Sequence, residues 1–248
     1  MGSILVTGSS DGIGAKIADV LEGLGHDVVR HARDEAKAAR LRAAGAGEVV
    51  VGDLASLAAT RAMAAAASAL GPFDVIVHNA GWLPPEGPRP VTEDGLERTF
   101  QVNALSAYLL TALIPLPSRL VYVSSDSIVR GRIDLDDLQH EAKWTPDSAY
   151  ADSKLAMTAI AFAFARRHPD VRVNAVHPGW IRTKMSGHAA PLDVTVGADT
   201  PVWLAVSDDP GTGDFYHNRQ IVHLNDQAYD QDLQDALLER CAALTSNG

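Results

Sequence analysis

Residues 4–14 read Ile-Leu-Val-Thr-Gly-Ser-Ser-Asp-Gly-Ile-Gly, an apolar run that passes directly into a glycine-rich turn. The run has the composition of a buried strand, and a helical segment opens at Gly12. Glycines at such a junction let backbone amides approach a pyrophosphate, whose negative charge the helix N-terminus favours. The alternative is a glycine turn that only packs the helix against the strand. We predict that the turn binds a dinucleotide through Gly8, Ser10, Gly12, Ile13 and Gly14.

The same alternation of strand and helix continues along all 248 residues. Apolar, β-branched runs predict seven strands, at residues 4–6, 27–31, 48–51, 75–78, 119–123, 171–176 and 220–224. Segments with helical composition lie at residues 12–24, 35–44, 56–70, 92–113, 148–167, 200–207 and 230–243. Strands that alternate with helices form βαβ units. The sequence therefore predicts an α/β fold, a single Rossmann-type domain over residues 1–248 with a parallel seven-stranded sheet and helices on both faces.

Three longer loops follow predicted strands, at residues 82–90, 126–147 and 179–197. In a parallel sheet with right-handed crossovers, the C-terminal ends of the strands share one edge, where ligands bind. The loops are therefore expected to wall one pocket. We interpret 126–147 as an insertion ahead of the helix at 148–167, and 179–197 as a substrate-side loop. Candidate pocket residues on these loops are Trp82, Trp144, Trp180, Met185 and His188.

Composition limits the class of protein. A hydrophobic content of 46% and a charged content of 21% are typical of a globular chain. The net charge of −10 argues against sequence-independent nucleic-acid binding, which needs clustered cations. Cys241 is the only cysteine, which excludes an internal disulfide and fits a reducing compartment. Because the chain shows no signal-peptide pattern, no bilayer-length apolar run and no histidine pair at metal-ligand spacing, we expect a soluble, cytoplasmic protein without membrane contact or metal.

The end of the second strand bears on which dinucleotide binds. Enzymes that select the unphosphorylated cofactor usually place an acid there for the ribose hydroxyls, whereas this chain has Ala32-Arg33-Asp34. Arg33 is placed to pair with a 2′-phosphate, so NADP(H) is favoured over NAD(H). Alternatively, Arg33 is a solvated charge and Asp34 caps the next helix. Asp53, after the third strand, could accept a hydrogen bond from the adenine amine or cap the helix that follows.

Tyr150 and Lys154 lie four residues apart near the start of the predicted helix at 148–167. Residues i and i+4 share one helix face, so a phenol and an ammonium are held side by side. The positive charge favours the phenolate and, together with a bound cationic ring, is expected to lower the pKa of Tyr150 from its ordinary value of about 10. In most helices this spacing marks only two residues on a solvated face. The dinucleotide loop on the same chain favours an acid–base pair.

Together these residues resemble the short-chain dehydrogenase/reductase family over nearly the whole chain. The motifs follow the family's order: the 7–14 loop, Asp53-Leu54, Asn79-Ala80-Gly81, Asn103, Ser124-Ser125, Tyr150 with Lys154, Asn174, and Pro178-Gly179. The resemblance implies that Tyr150 protonates the carbonyl oxygen during reduction and that Ser125 orients that oxygen. It implies that Lys154 binds the nicotinamide ribose and lowers the Tyr150 pKa, and that Asn103 holds a water that relays protons to Lys154.

The resemblance also implies the remaining cofactor contacts. The Asn79-Ala80-Gly81 backbone would support the sheet and flank the adenine ribose, and Pro178, Gly179 and Thr183 would contact the nicotinamide end. The implied cofactor-binding set is completed by Leu54, Ile181, Tyr150 and Lys154. Three alternatives stay open: Ser124 is the chemical serine, Asn103 is a kink or a buried hydrogen-bonding residue, and Thr183 caps a short helix.

One departure from the family pattern lies between Ser125 and Tyr150, where the chain is longer than in most members and rich in acids. The stretch at 131–134 resembles the retinol-dehydrogenase-like branch, which often accepts lipophilic carbonyls; a carbonyl-reductase-like branch is the other assignment. The insertion could cover the helix face that many relatives use to pair subunits. A homodimer and a homotetramer are therefore both left open.

The sequence predicts an NADP(H)-dependent oxidoreductase that interconverts a ketone or aldehyde and an alcohol by hydride transfer, with Tyr150 as acid and base. One alternative is a non-catalytic NADP(H)-binding regulatory module on the same fold, although no catalytic position is lost. Another is a sugar-nucleotide epimerase, which also uses a Tyr-x-x-x-Lys pair, although such chains usually carry a larger C-terminal substrate domain.

Overall fold

A single mixed sheet forms the centre of the protein, whose computed structural model describes residues 1–187 and 189–246. The strands are β1 Ser3–Val6, β2 Asp27–Ala32, β3 Val49–Val51, β4 Val75–His78, β5 Arg119–Val123, β6 Arg172–Val176, β7 Phe215–His217 and β8 Gln220–Ile221. Their order is β3-β2-β1-β4-β5-β6-β7-β8. Strands β1 to β7 are parallel, and β8 pairs with β7 in the antiparallel direction.

The α/β class with a parallel sheet is confirmed; the sheet has seven parallel strands and an eighth, antiparallel one, and only the positions of the last strands differ from the prediction. Strand β7 was not predicted, and the strand expected at 220–224 is a two-residue antiparallel edge. Asn218 and Arg219 join β7 to β8 with φ values of 48° and 60°. Two central residues with positive φ form the tight turn that suits a hairpin, so the chain reverses here rather than crossing over.

The helices are α1 Gly12–Gly23, α2 Glu35–Ala43, α3 Leu57–Leu70, α4 Arg98–Phe100, α5 Ser106–Leu113, α6 Pro146–Arg167, α7 Val194–Val206 and α8 Gln231–Thr245. The helix expected at 92–113 begins only at Arg98, because Thr92 and Leu96 close a turn just before it. The helix expected at 200–207 begins at Val194, because Asp193 caps it by accepting a hydrogen bond from the Thr195 amide at 2.9 Å.

Helices cover both faces of the sheet, as predicted. On one face α1 and α7 pack together over the apolar residues of β1, β4 and β5. On the other face α3, α5, α6 and α8 enclose the larger core. Every residue of α6 from 153 to 165 is buried, so this helix is surrounded by the chain's own elements. Within residues 1–187 and 189–246, no helix combines the length and apolar character needed to cross a bilayer.

Candidate active site

A cleft of about 250 Å³ opens at the C-terminal ends of β1, β2, β4 and β5, the edge where the sequence predicted a ligand. Its wall brings together most of the residues assigned to the cofactor. These are Gly8, Ser10, Gly12, Ile13, Gly14, Arg33, Asp53, Leu54, Asn79, Ala80, Gly81, Tyr150, Lys154, Pro178 and Thr183. Four other predicted site residues, Asn103, Ser125, Gly179 and Ile181, do not line the cleft.

The glycine loop presents the first turn of α1 to this cleft. Asp11 is the N-cap residue, but its side chain makes no capping bond. The first-turn amides of a helix lack intrahelical acceptors, and here they face the cleft without a capping carboxylate over them. A Cβ on Gly14 would lie 2.3 Å from Asn79 Nδ2 and 2.4 Å from the Gly8 carbonyl oxygen. The backbone therefore makes a close, positively polarised cradle that fits a pyrophosphate.

Thr7 and Asn79 hold the glycine loop in place through hydrogen bonds. The Thr7 hydroxyl oxygen accepts hydrogen bonds from the amides of Asn79 at 2.9 Å and Ala80 at 3.0 Å. Asn79 Nδ2 donates to the carbonyl oxygens of Thr7 at 3.0 Å and Gly8 at 3.2 Å. The Asn-Ala-Gly triplet thus ties the end of β4 to the loop after β1.

Two cations lie at the end of the cleft next to β2 and α2. The Arg33 side chain is 54% exposed and its Nε lies 3.6 Å from Asp34. Lys37 Nζ lies 3.2 Å from Asp11 Oδ2 and 3.3 Å from Ser10 Oγ. Asp34 does cap α2, accepting from the Lys37 amide at 2.8 Å. This cap also directs the first turn of α2, and with it Lys37, toward the cleft.

Asp53 does not cap α3, so that alternative is wrong. Ser56 is the cap, and its hydroxyl oxygen accepts from the Ala59 amide at 3.3 Å. Asp53 Oδ1 instead accepts from the Ala55 amide at 3.0 Å in a local turn at the cleft wall. The adenine contact stays a prediction.

Helix α6 carries the two catalytic candidates, and capping fixes its N-terminus. Thr145 and Ser148 form a reciprocal capping box, and Pro146 occupies the first turn. Tyr150 and Lys154 then share one face of the helix, as predicted. Lys154 Nζ lies 6.0 Å from the centroid of the Tyr150 ring.

The Lys154 ammonium is buried and turned toward the sheet. Its Nζ donates to the Val123 carbonyl oxygen at 2.8 Å. A Cβ on Gly81 would lie 3.2 Å from Nζ, so a side chain at that position would crowd the ammonium. The glycine of the Asn-Ala-Gly triplet therefore makes room for Lys154.

The pKa values correct one expectation. Burial raises the pKa of Tyr150 to about 12; the Ser125 hydroxyl and the Arg130 guanidinium oppose the rise, and the Asp126 carboxylate adds to it. Burial also lowers the pKa of Lys154 to about 8. Among the protein's own groups, Lys154 therefore does not lower the Tyr150 pKa, because desolvation of the phenolate dominates. The expected lowering by the ammonium together with a bound cationic ring stays a prediction.

The two serines after β5 have different partners. The Ser124 hydroxyl is buried and bonded to Thr158 Oγ1 at 2.9 Å and to the Lys154 carbonyl oxygen at 3.2 Å. Ser125 is half-buried, and its Oγ accepts from the Ser127 amide at 3.2 Å and donates to Asp126 Oδ1 at 3.3 Å. Because Ser124 is committed to α6, these contacts favour Ser125 as the serine next to Tyr150, which stays a prediction.

Asn103 lies in a single π-helical turn, Gln101–Leu105, between α4 and α5. Its Oδ1 accepts from the Trp82 amide at 2.7 Å, and its Nδ2 donates to the Trp82 carbonyl oxygen at 3.0 Å and to Ser153 Oγ at 2.9 Å. The side chain is thus the buried hydrogen-bonding residue that one alternative described, and it holds Trp82 at the cleft wall. Such π turns are frequent at functional sites.

The substrate-side loop folds back on itself. Ile181 pairs with Leu192, and a Cβ on Gly197 would lie 2.7 Å from Ile181 Cγ1. Ile181 therefore packs against Leu192 and the first turn of α7 and does not line the cleft. Thr183 lines the cleft and is followed by a turn, so it does not cap a helix.

The five candidate pocket residues separate into three groups. Trp82 and Met185 line the cleft, whereas Trp180 is 61% exposed outside it. Trp144 is held elsewhere, since its Nε1 donates to Glu97 Oε1 at 3.2 Å. His188 lies outside the described residues.

Comparison with known proteins identifies the family. A family model described as enoyl-(acyl carrier protein) reductase matches residues 8–201. The chain is 35% identical over 254 aligned positions to the short-chain dehydrogenase chyC of Penicillium rubens, covering 99% of this chain and 98% of that one. The chain belongs to the short-chain dehydrogenase/reductase family.

Two further similarities refine this assignment. The chain is 36% identical to retinol dehydrogenase 14 of Homo sapiens, covering 84% of this chain and 74% of that one. This confirms the predicted resemblance to the retinol-dehydrogenase-like branch. A blue fluorescent protein from a metagenomic library, solved in complex with NADPH, has a TM-score of 0.67 and 27% identity, covering 86% of this chain and 94% of that one.

In this short-chain dehydrogenase/reductase, the segment at 126–147, which we interpreted from the sequence as an insertion, is bound to the start of α4. Glu97 is fully buried there; its carboxylate accepts from Trp144 and Thr99, and its amide donates to Gln139 Oε1 at 2.7 Å. The Gln139 carbonyl oxygen also accepts from Arg89 Nε at 2.6 Å. The insertion is thus fastened to the loop after β4.

Sequence reasoning missed several residues that the family's cleft includes here. They are Asp11, His31, Lys37, Arg98, Val102, Val123 and Lys184. Lys37 could have been found, because it lies in the first turn of the helix that the sequence predicts directly after Arg33 and Asp34. His31 could not, because it lies inside a predicted strand and its partners come from two other strand ends.

Proposed function

We propose that this protein is an NADP(H)-dependent oxidoreductase that interconverts a carbonyl compound and an alcohol. One observation carries the proposal: Tyr150 and Lys154 open into the same cleft as the glycine loop at the start of α1. A proton donor and a dinucleotide cradle on one wall are what carbonyl reduction requires. The bound cofactor would supply the hydride, and the chain would supply position and the proton.

The chain's own residues suit the reducing direction near neutral pH. With its pKa raised to about 12, Tyr150 is protonated near neutral pH and holds the proton that the forming alkoxide, a stronger base than the phenolate, would take. Lys154, with a pKa of about 8, is still mostly an ammonium and can bind ribose hydroxyls. Ser125, beside Tyr150, would donate a hydrogen bond to the same carbonyl oxygen and so hold it in line with the phenol.

The preference for NADP(H) rests on charge at the adenosine end. Arg33 and Lys37 both border the cleft, and the strand end that would carry an acid for NAD(H) has Ala32 instead. Guanidinium and ammonium groups bind phosphate through charge-assisted hydrogen bonds. The NADPH complex of the blue fluorescent protein supports the same choice.

The direct test is turnover. We expect purified protein to oxidise NADPH only when an aldehyde or ketone is present, with the matching alcohol formed in equal amount by mass spectrometry. The panel spans small polar carbonyls to large apolar ketones, because retinol-dehydrogenase-like relatives often act on lipophilic compounds. Omission of the carbonyl is the control for futile NADPH oxidation.

Other outcomes favour the alternatives. Tight NADPH binding with no turnover of any carbonyl or alcohol would contradict the proposal and favour a regulatory module. Interconversion of sugar-nucleotide epimers without net NADPH oxidation would favour an epimerase.

We also propose that the enzyme is a monomer. An interface through α6 needs a free helix face, since stable interfaces bury about 800 Å² on each partner. Residues 153–165 of α6 are buried by the chain itself, with α8 and the Asp226–Tyr229 turn packed against it. Light scattering after size exclusion is expected to give a mass near 26.3 kDa that does not rise with concentration. A mass of two or four chains would contradict this and restore the homodimer or homotetramer.

A further inference from the structure

The end of β2 carries His31, which is 3% exposed and borders the cleft. Both ring nitrogens are bonded: the Gly8 amide donates to Nδ1 at 2.9 Å, and Nε2 bonds to the Gly52 carbonyl oxygen at 2.8 Å. The His31 backbone is bonded as well, its amide donating to Ser9 Oγ at 2.9 Å and its carbonyl accepting from the Ser9 amide at 3.1 Å. One residue thus joins the glycine loop to the ends of β2 and β3.

These partners fix the state of the ring. The Gly52 carbonyl can only accept, so the proton must sit on Nε2; the Gly8 amide can only donate, so Nδ1 must keep its lone pair. His31 is therefore a neutral imidazole with both nitrogens in use. It has no ring nitrogen left to bond a ligand, so any effect on the cofactor must pass through the loop.

We propose that His31 is a positioning residue for the cofactor, acting by holding Gly8 and thereby the dinucleotide-binding loop in place. This inference rests on the proposed function, since it presumes that the cleft binds a nicotinamide dinucleotide. Gly8 has a φ of +63°, and a Cβ there would lie 2.8 Å from Ala80 Cα. The loop is therefore clamped between Ala80 and His31, and release of one side frees the backbone that faces the pyrophosphate.

Protonation of the His31 ring would break its bond to Gly8. An imidazolium would present an N–H at Nδ1 to the Gly8 amide, and two donors cannot bond. Burial has the largest effect and lowers the pKa of His31. The Gly52 carbonyl and the Asp53 carboxylate, both just after β3, favour the charged ring, whereas the Lys37 ammonium on α2 disfavours it. The ring is therefore neutral at pH 7, and the Gly8 bond is lost only as the pH falls below the ordinary histidine value of about 6.5.

Two amide variants separate the two ring bonds. His31→Asn places an oxygen where Nδ1 lies, so it keeps the acceptor for Gly8 and loses the donor to Gly52. His31→Gln places a nitrogen near Nε2, so it keeps the Gly52 bond and loses the Gly8 bond. The Kd for NADPH, from fluorescence titration, is expected to rise about tenfold in His31→Gln and to stay within about threefold in His31→Asn. Each variant loses one buried hydrogen bond, so the two are expected to have similar Tm values. If they do, a difference between their Kd values comes from the position of the loop and not from a difference in stability.

Acid pH supplies a second readout. The ratio of the wild-type Kd to the His31→Asn Kd is expected to be constant at neutral pH and to rise on acidification, because only the wild type can lose the Gly8 bond by protonation. Titration of the cofactor phosphates affects both proteins and cancels in the ratio.

Several results would overturn the inference. These are equal Kd values for the two variants, a pH-independent ratio, or nitrogen NMR shifts that show a proton on Nδ1 in the wild-type protein. The NMR measurement needs no variant, so it can overturn the inference even where both substitutions fail to fold. Wild-type protein that binds neither NADPH nor NADH overturns the proposed function together with this inference, whereas normal wild-type binding with indistinguishable variants overturns the role of His31 alone.

Discussion

Tyr150→Phe is expected to lower kcat for carbonyl reduction about a thousandfold while leaving the Kd for NADPH within about twofold. Phenylalanine keeps the ring beside Lys154 but removes the atom that hands a proton to the carbonyl oxygen. Because Tyr150 holds its proton near neutral pH, the loss falls on the chemical step rather than on binding. Single-turnover kinetics with pre-bound NADPH measure that step directly.

Tyr108→Phe is the matched control. Tyr108 is a half-buried tyrosine on α5 whose ring centroid lies 6.3 Å from that of Phe164, away from the cleft. This variant also loses one phenolic hydroxyl, but outside the cleft. A loss of activity that came only from removing a tyrosine hydroxyl from the protein would therefore appear in both variants. A fully active Tyr150→Phe enzyme, or equal losses in the two variants, would contradict the acid–base role.

The sequence was informative wherever one stretch of chain carries its own signal. The stretch from Leu5 to Gly14 predicted the first strand, the dinucleotide-binding turn and the start of the first helix together, because the apolar run and the glycines are adjacent. The spacing of Tyr150 and Lys154 likewise predicted a shared helix face. Strand β7 has three residues and β8 has two, too short for any period, so they are defined only by the pairing of β7 with β6 and of β8 with β7.

Properties set by distant partners could not be predicted. The pKa of Tyr150 depends on how deeply the cleft buries it, and local spacing suggested the opposite direction. His31 is bonded to Gly8 and Gly52, residues 23 and 21 positions away. The Asn103 side chain is bonded to Trp82, which comes from another loop. In each case the deciding contact joins segments that only the fold brings together.

Arg33→Asp is expected to reduce the preference for NADPH over NADH about a hundredfold, measured as the ratio of kcat/KM for the two cofactors. The substitution removes a charge-assisted bond to the 2′-phosphate and adds a repulsive carboxylate, each contributing about 1.5 kcal/mol or more. An aspartate at the end of β2 can also accept hydrogen bonds from the ribose hydroxyls, which favours NADH. The loss of NADPH turnover should therefore exceed the loss of NADH turnover.

Arg40→Asp, a charge reversal of the same size at the exposed far end of α2, is the control and should leave the cofactor ratio unchanged. Lys37→Met is expected to lower the ratio about tenfold, because it removes the second cation without adding repulsion. The two cations differ in exposure: Arg33 is 54% exposed and Lys37 is 25% exposed. Salt should therefore weaken the Arg33 contribution more than that of Lys37. Two results would contradict the prediction that a 2′-phosphate binds at Arg33. One is a wild-type enzyme that already prefers NADH, and the other is a cofactor ratio that Arg33→Asp and Arg40→Asp change equally.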